Sequence, residues 1–134
     1  MTEITDLEKR ASEIRKLIVR MVCEAGSGHV GGSLGSADFF TGLYFGDVLE
    51  NKDKVVLSAG HYCPVLYACL AEKGLFDKNE LMSLRKLESR LQGHPHFEWK
   101  GKNNLPGIET TSGPLGQGVS QAVGMALALR MDGD

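Results

Sequence analysis

The chain has 134 residues, of which 42% are hydrophobic and 24% are charged, and no low-complexity tract interrupts it. This is roughly one domain's worth of globular protein, with enough apolar residues to bury a core. The formal net charge of -2, with basic and acidic residues interleaved, gives no electrostatic footprint for nucleic acid or for an anionic membrane surface. No apolar run of about 18 residues and no secretory signal is present. We therefore expect a cytoplasmic chain with no nucleic acid and no membrane as partner.

The cysteines and the paired histidines argue against a metal site. Cys23, Cys63 and Cys69 are an odd number without a C-x-x-C pair, and each sits among apolar neighbours. This pattern predicts three buried free thiols in a reducing compartment. His94 and His96 lack cysteine or carboxylate ligands at the spacing of a metal site, so we expect no metal ligand in this chain.

Helices and one glycine-rich turn make up the first part of the chain. Apolar residues recur at steps of three and four over residues 7–25, which predicts an amphipathic helix. Thr5 and Glu8 form a capping box at its start, and Gly26 marks its end. A glycine-rich turn then leads into a second predicted helix from about Ser36.

Two short strands are predicted further on, with helices between them. Residues 55–57 form a β-branched run that fits a buried strand, and residues 108–111 predict another. Pro64 suits the first turn of a helix that runs to Lys73. An acidic capping box starts a further predicted helix over residues 77–87.

The last third of the chain predicts a functional loop and an unfinished α/β unit. Periodicity disappears over residues 90–104, and irregular loops of this length are often functional. An apolar helix is predicted over residues 119–131, and the residues after it would turn into another strand. Because a βαβ unit needs that strand to close its crossover, we expect an α/β layered domain whose fold is incomplete as given.

Two motif matches have the wrong structural context. Residues 31–35 satisfy the G-x-S-x-G pattern of a serine hydrolase, but that turn follows a strand, and here a helix precedes it. Residues 26–31 satisfy G-x-G-x-x-G, yet they also follow a helix, and no acidic residue ends a second strand about 20 residues on. We therefore expect neither a serine hydrolase nor a dinucleotide-binding fold.

A side-chain-poor loop and three Gly-His pairs are the features that point to chemistry. Residues 113–118 contain three glycines and a proline and open a helix, so bare N–H groups converge where an anion or a flat ring could approach. His29, His61 and His94 each directly follow a glycine in a predicted turn, which indicates one shared pocket. Imidazole can donate to a phosphate oxygen, bind a sugar hydroxyl or move a proton. The set suits an anionic cofactor and a polyhydroxylated substrate.

Four motifs, in this order and at this spacing, closely resemble the N-terminal part of transketolase. They are Ser27-Gly28-His29-Val30-Gly31-Gly32-Ser33, Leu57-Ser58-Ala59-Gly60-His61, Leu91-Gln92-Gly93-His94-Pro95 and Gly113-Pro114-Leu115-Gly116-Gln117-Gly118. The resemblance implies that residues 1–134 are a partial N-terminal pyrophosphate-binding domain. Its fold would be an incomplete thiamine diphosphate-binding domain of the α/β class, helix-rich with a few short parallel strands.

The same resemblance implies an activity and residue roles. The chain would be part of an enzyme that transfers a two-carbon ketol unit between ketose and aldose phosphates through thiamine diphosphate. His29 and His94 would be catalytic and bind substrate, and His61 and His94 would contact the cofactor. The backbone of three loop residues would cradle the cofactor: Gly113, Pro114 and Leu115.

Two departures from the family pattern set limits on this implication. Val30 stands where the family often has proline, which affects only loop stiffness. The family's Gly-Asp-Gly motif, which supplies ligands to Mg²⁺, is absent, because residues 132–134 resemble the loop just before it. The metal ligands are therefore expected outside this chain, and the chain alone is expected to be inactive.

Partners and two alternatives follow from the same reading. The expected partners are the remaining transketolase segments or a separate subunit, in a homo- or hetero-oligomer, with sugar phosphates as substrates. A piece resembling deoxyxylulose phosphate synthase shares the cofactor, but Gly93-His94-Pro95 and the glycine loop favour transketolase. A noncatalytic oligomerising module is the alternative from another class, since an unfinished sheet exposes backbone and apolar surface.

Overall fold

The fold is built from helices. The computed structural model describes residues 2–50, 52–98, 101 and 104–133. Two 3-10 helices cover Gly60–Tyr62 and Lys78–Ser83. The α-helices are α1 (Ile4–Ala25), α2 (Val30–Gly35), α3 (Ala37–Phe45), α4 (Cys63–Glu72) and α5 (Gly118–Asp132). Over the described ranges, no helix is both long and apolar enough to cross a membrane.

The core lies around α4. Residues 63–71 are all buried, as expected for a helix that is apolar on every side. The amphipathic helix α1 covers α4 with Ile14, Ile18 and Met21, none of which has exposed surface. Helix α3 packs on both α1 and α4. The residues just before α4, which include His61, are thereby held against the buried core.

The ends of α1 and α4 show which sequence signals were correct. Gly26 ends α1 in the left-handed region, at φ 62°, and its N–H donates to the Cys23 carbonyl. Pro64 lies in the first turn of α4, also as predicted. The Thr5 capping box is wrong, because α1 begins at Ile4 with Glu3 as the capping residue and no side-chain cap.

The helix predicted over residues 77–87 is shorter and tighter than expected. Asp77 does cap it, since its carboxylate accepts a hydrogen bond from Asn79 N–H at 2.9 Å. The element is nevertheless a 3-10 helix that ends at Ser83, and Leu87 beyond it is 94% exposed. The Glu80 carboxylate binds a downstream arginine instead of closing the capping box.

The glycine turn after α1 is also partly helical, because α2 occupies residues 30–35.

The predicted strands are not formed within the described residues. Residues 55–57 and 108–111 have no ladder hydrogen bonds, although Leu57 and Ile108 are buried. A strand requires a neighbouring backbone as its partner. An ion pair connects the two segments: Lys54, which directly precedes the first segment, pairs with Glu109 in the second, with Nζ and Oε1 3.3 Å apart.

Helix α5 stands apart from the other helices. It packs against none of the described helices, and its apolar side chains are largely exposed. Gly133 ends the helix at φ 87°, and its N–H donates to the Leu129 carbonyl. Asp134 and part of the predicted irregular loop, residues 99, 100, 102 and 103, lie outside the described residues.

Candidate functional site

The three Gly-His turns lie together. The rings of His29 and His61 are in edge contact, with centroids 5.1 Å apart and planes at 68°. Gly60 packs against the third histidine, because a Cβ added at Gly60 would lie only 3.0 Å from His94 Cδ2. Three turns separated by more than thirty residues each thus place their imidazoles around one site.

Each of the first two histidines is placed by a helix start. His29 is the residue that immediately precedes α2. His61 lies in the 3-10 turn that leads into α4, and its ring makes an edge contact with Tyr62 at 4.6 Å between centroids. Gly32 on α2 gives the Tyr62 ring the room it occupies, since any side chain there would collide with it.

The Gly93–His94 turn is fixed from inside α4. The Tyr67 hydroxyl donates to the Gln92 carbonyl at 3.0 Å, and the Cys63 thiol donates to the Gly93 carbonyl at 3.1 Å. Burial raises the pKa of Cys63 to about 12, so this thiol keeps its proton and remains a donor at neutral pH. Helix α4 therefore sets the position of His94 as well as that of His61.

The glycine loop begins at the same place. A Cβ at Gly60 would lie 2.7 Å from Ser112 Oγ and 3.0 Å from Gly113 N, so the loop approaches this turn as closely as glycine permits. Ser58 holds the far end of the loop: its Oγ accepts the Gly118 N–H at 3.1 Å, and its carbonyl accepts the Gly116 N–H at 3.4 Å.

The surface of the loop is bare backbone beside a helix start. The N–H groups of Gly113 and Leu115 have no acceptor within the described part of the chain, and the Leu115 side chain is 68% exposed. Gly116 is at φ 84°, and a Cβ there would meet nothing within 4 Å. The Ser112 hydroxyl is buried without a hydrogen-bond partner. Free N–H donors, a helix N-terminus and nearby imidazoles fit one side of an anionic cofactor.

The cysteines differ from the expectation. Cys63 and Cys69 are buried, but Cys23 is exposed, and all three are free. Cys23 lies in the last turn of α1 on the side away from the core, so its apolar sequence neighbours were misleading. Within the described ranges, no group of three or more histidine, cysteine or acidic side chains could hold a metal ion.

Sequence reasoning missed two residues of the site. Ser58, which fixes the glycine loop, stands in the quoted Leu-Ser-Ala-Gly-His motif, so its position beside a Gly-His pair was an available signal. Arg85 lies against the His94 turn, since a Cβ at Gly93 would be 3.3 Å from the guanidinium carbon of Arg85. Nothing in the sequence distinguished Arg85 from its charged neighbours.

Comparison with known proteins gives one consistent family. A family model described as "Transketolase, thiamine diphosphate binding domain" matches residues 7–133. Transketolase 1 of Saccharomyces cerevisiae is 44% identical over 96% of this chain, which spans 19% of that protein. One subunit of the apulose-4-phosphate transketolase of Phocaeicola vulgatus is 36% identical over 97% of this chain, which spans 47% of that protein.

A solved structure agrees with these relatives. The transketolase from Leishmania mexicana superposes with a TM-score of 0.80 and 35% sequence identity, over 96% of this chain and 19% of the solved one. The chain thus spans about a fifth of the full-length transketolases and about half of the Phocaeicola vulgatus protein. It belongs to the transketolase family, through that family's thiamine diphosphate-binding domain.

Proposed function

We propose that this chain is part of a transketolase that moves a two-carbon ketol unit between a ketose phosphate and an aldose phosphate. The observation that carries the proposal is the contact of Gly60 with both His94 and the start of the glycine loop at Gly113. A surface for a cofactor and a surface for proton transfer are thereby joined at one residue. The family membership of the chain supplies the reaction class.

The cofactor surface would be formed by backbone and imidazole donors. When bound, thiamine diphosphate supplies the reactive carbon that takes up and releases the two-carbon unit. The free N–H groups of Gly113 and Leu115 would donate to it, while Pro114 between them has no N–H and stiffens the loop. His61 and His94 would donate N–H to its diphosphate oxygens. Mg²⁺ would be held by ligands outside this chain.

The substrate side would be formed by His29 and His94. His29 touches His61 edge-on, so a cofactor held at His61 would lie beside His29. An imidazole nitrogen there would hold or move the proton of a sugar hydroxyl as the two-carbon unit is transferred. His94, which packs against Gly60, would bind a hydroxyl of the donor sugar and orient it toward the cofactor.

The remaining segments of the enzyme would complete the fold. The apolar face of α5 lacks a packing partner among the described helices, and a relative about twice as long as this chain is named as one subunit of its enzyme. We infer an α/β domain in which residues 55–57 and 108–111 become short parallel strands when a partner subunit or segment supplies their neighbours. Its working form would be a homo- or hetero-oligomer in the cytoplasm that acts on sugar phosphates, without a nucleic acid or membrane partner.

Calorimetry with thiamine diphosphate and Mg²⁺ on the complex reconstituted with the remaining segments tests the cofactor assignment. We expect saturable binding, weakened about tenfold or more (~1.4 kcal/mol) by H61A. The control is K86Q, because Lys86 is exposed, pairs with Glu24 of α1 and lies outside the proposed site. Loss of affinity in both variants alike, or no binding by the wild-type complex, would overturn the assignment.

Two assays on the same complex decide the reaction. Transfer of a two-carbon unit from a ketose phosphate to an aldose phosphate is the expected result. Pyruvate-dependent formation of deoxyxylulose phosphate would instead assign the chain to the related synthase, which the transketolase relatives do not favour. A complex that assembles but binds no cofactor would be a noncatalytic module.

A further inference from the structure

Arg85 differs from the two cations that follow it closely in the chain. Lys86 forms an ion pair with Glu24, with Nζ and Oε1 3.0 Å apart. Arg90 binds both carboxylate oxygens of Glu80, each at 2.8 Å. The Arg85 side chain has no carboxylate or other hydrogen-bond acceptor within the described part of the chain. A guanidinium with five free donors is a ready partner for an anion.

The direction of Arg85 is fixed by its backbone and by Gly93. Arg85 N–H donates to the Leu91 carbonyl at 2.7 Å, and the residue adopts φ 62°, a left-handed conformation that is unfavourable outside glycine. The guanidinium lies over Gly93, where a Cβ would stand 3.3 Å from both Cζ and Nε. The positive charge is therefore held at the His94 turn, and the left-handed backbone indicates that this placement is specified.

Arg85 lines two adjoining depressions of the site. The inner one, which includes His29, His61 and Gly93, is too narrow for a water molecule, so a ligand would enter the outer one, which includes His94 and Ser112. No aspartate or glutamate lines either depression among the described residues. The positive charge of Arg85 also acts on the buried Cys63 thiol. Burial raises the pKa of this thiol, and Arg85 opposes that rise. The histidines thus lie around a surface that has no carboxylate side chain among the described residues and that carries the positive charge of Arg85.

We propose that Arg85 binds a phosphoryl group in this site, through its planar guanidinium fork. The proposal rests on the function proposed above, which brings two sources of that group to the site: the sugar phosphate and the diphosphate of the cofactor. A guanidinium matches the geometry of phosphoryl oxygens with two parallel N–H donors, and an acid-free surface adds no repulsion. Ser112, whose buried hydroxyl has no partner, lines the same outer depression.

The test compares R85Q and R85K with the control K86Q in the reconstituted complex. Glutamine removes the charge, lysine keeps the charge without the fork, and K86Q removes a neighbouring charge that points to α1. Two paired measurements distinguish the sources. The first is KM for an aldose phosphate against the unphosphorylated aldose of equal length. The second is the Kd of thiamine diphosphate against that of thiamine, by calorimetry.

For a sugar phosphate partner, R85Q is expected to raise KM for the phosphorylated aldose about tenfold or more and to leave the unphosphorylated aldose unchanged. For a cofactor partner, the Kd of thiamine diphosphate rises by a similar factor, while that of thiamine does not. R85K is expected to recover part of the loss, and K86Q to behave as wild type.

Equal effects of R85Q on phosphorylated and unphosphorylated ligands, or no effect on either pair, would overturn the proposal. Such an outcome with an active wild-type complex leaves the proposed function intact, whereas a wild-type complex without cofactor binding overturns the function itself. Circular dichroism of R85Q separates loss of the fold from loss of the contact, and R85K supplies the answer if R85Q does not fold.

Discussion

Tyr67 in the middle of α4 donates its hydroxyl hydrogen to the carbonyl of Gln92, with an oxygen-to-oxygen distance of 3.0 Å. Tyr67 is buried, and burial raises the pKa of its hydroxyl, so it stays a donor across the neutral range. Because His61 lies two residues before the start of α4 and His94 follows Gln92 by two residues, one hydrogen bond relates two of the three histidines. The geometry of the site is thus set by the core.

Replacement of Tyr67 by phenylalanine is expected to loosen the His94 turn. The Gln92 carbonyl loses its closer donor, and the Cys63 thiol, 3.5 Å away, is a weaker replacement. The free energy of unfolding should fall by about 1 kcal/mol, as for one buried hydrogen bond, measured by urea titration of the chain. Y62F is the matched control, because the Tyr62 hydroxyl has no hydrogen bond to any described residue. Equal losses in Y67F and Y62F would show that the Gln92 contact is not the cause.

Substitution of Gly60 by alanine should separate the glycine loop from the His94 turn. The added Cβ would meet Ser112 Oγ, Gly113 N and His94 Cδ2 at 2.7 to 3.0 Å, and backbone atoms cannot move aside cheaply. We expect a loss of about 1–3 kcal/mol in stability, typical of overpacking, and a Kd for thiamine diphosphate raised about tenfold or more. Thermal unfolding measures the loss of stability, and calorimetry on the reconstituted complex measures the Kd.

G31A is the control for that experiment. Gly31 lies in α2, where an added Cβ meets nothing within 4 Å, and alanine favours a helix over glycine by about 0.5–1 kcal/mol. G31A should therefore be neutral or slightly stabilising, with cofactor affinity unchanged. If G60A and G31A behave alike, Gly60 is not the close contact described above.

The sequence predicted that the Gly-His turns come together better than it predicted the secondary structure around them, for physical reasons. The Gly-His turns are local signals, because each glycine leaves out a side chain where another group lies close, as Gly60 does for the backbone of Gly113 and Gly93 does for the Arg85 side chain. The end of α1 at Gly26 and the start of α4 near Pro64 also depend on local signals, and both predictions were correct. The strands at residues 55–57 and 108–111 depend on partners elsewhere in space, and within the described residues those partners are not formed.

Arg85 and Tyr67 show what sequence patterns do not carry. Tyr67 is one of several apolar residues on α4, and only its distance to Gln92 reveals that it fixes the site. Arg85 is one of three cations in a short segment, and only the ion pairs of its two neighbours set it apart. Such roles arise from contacts between residues far apart in the chain, and the hydrophobic periodicity of a sequence does not reveal those contacts.

Thiol labelling should divide the three cysteines into two classes. Cys23 is exposed and should react rapidly with a thiol reagent in the native protein. Cys63 and Cys69 are buried, and burial raises the pKa of each to about 12, so little of the reactive thiolate is present at neutral pH. Mass spectrometry should find one label per chain before unfolding and three after it. Rapid addition of any label to native C23A would contradict this assignment.

Alkaline pH should destabilise the chain through the same two thiols. Their pKa in the folded chain, about 12, lies above the unfolded value of 9.0, so the unfolded state loses its protons first as pH rises. The contribution of the two thiols to the free energy of unfolding is fully present below pH 9. It falls as the pH rises toward 12, by up to about 1.4 kcal/mol per pH unit for each thiol. Urea titrations at several pH values should show a smaller slope in C69A and an unchanged slope in C23A. Equal slopes in all three proteins would contradict the assignment.

The exposed side of α5 should govern self-association of the chain. Val119, Val123, Leu127 and Met131 recur every four residues and are 56 to 87% exposed, so they form one apolar stripe that no other described helix covers. Sedimentation of the wild-type chain, alone or with the other segments of the proposed complex, should show association. V123E combined with L127E should weaken either interaction about tenfold or more, because a buried unpaired carboxylate is costly.

The matched control for the stripe is I4E combined with V48E, which places the same charges on exposed apolar residues outside α5. Those changes should leave association as in the wild type, since neither residue belongs to the stripe. A wild-type chain that remains a stable monomer, alone and with the other segments of the proposed complex, would show that the apolar stripe of α5 is not a contact surface. Equal weakening in both double variants would instead indicate general charge repulsion and not a specific contact of α5.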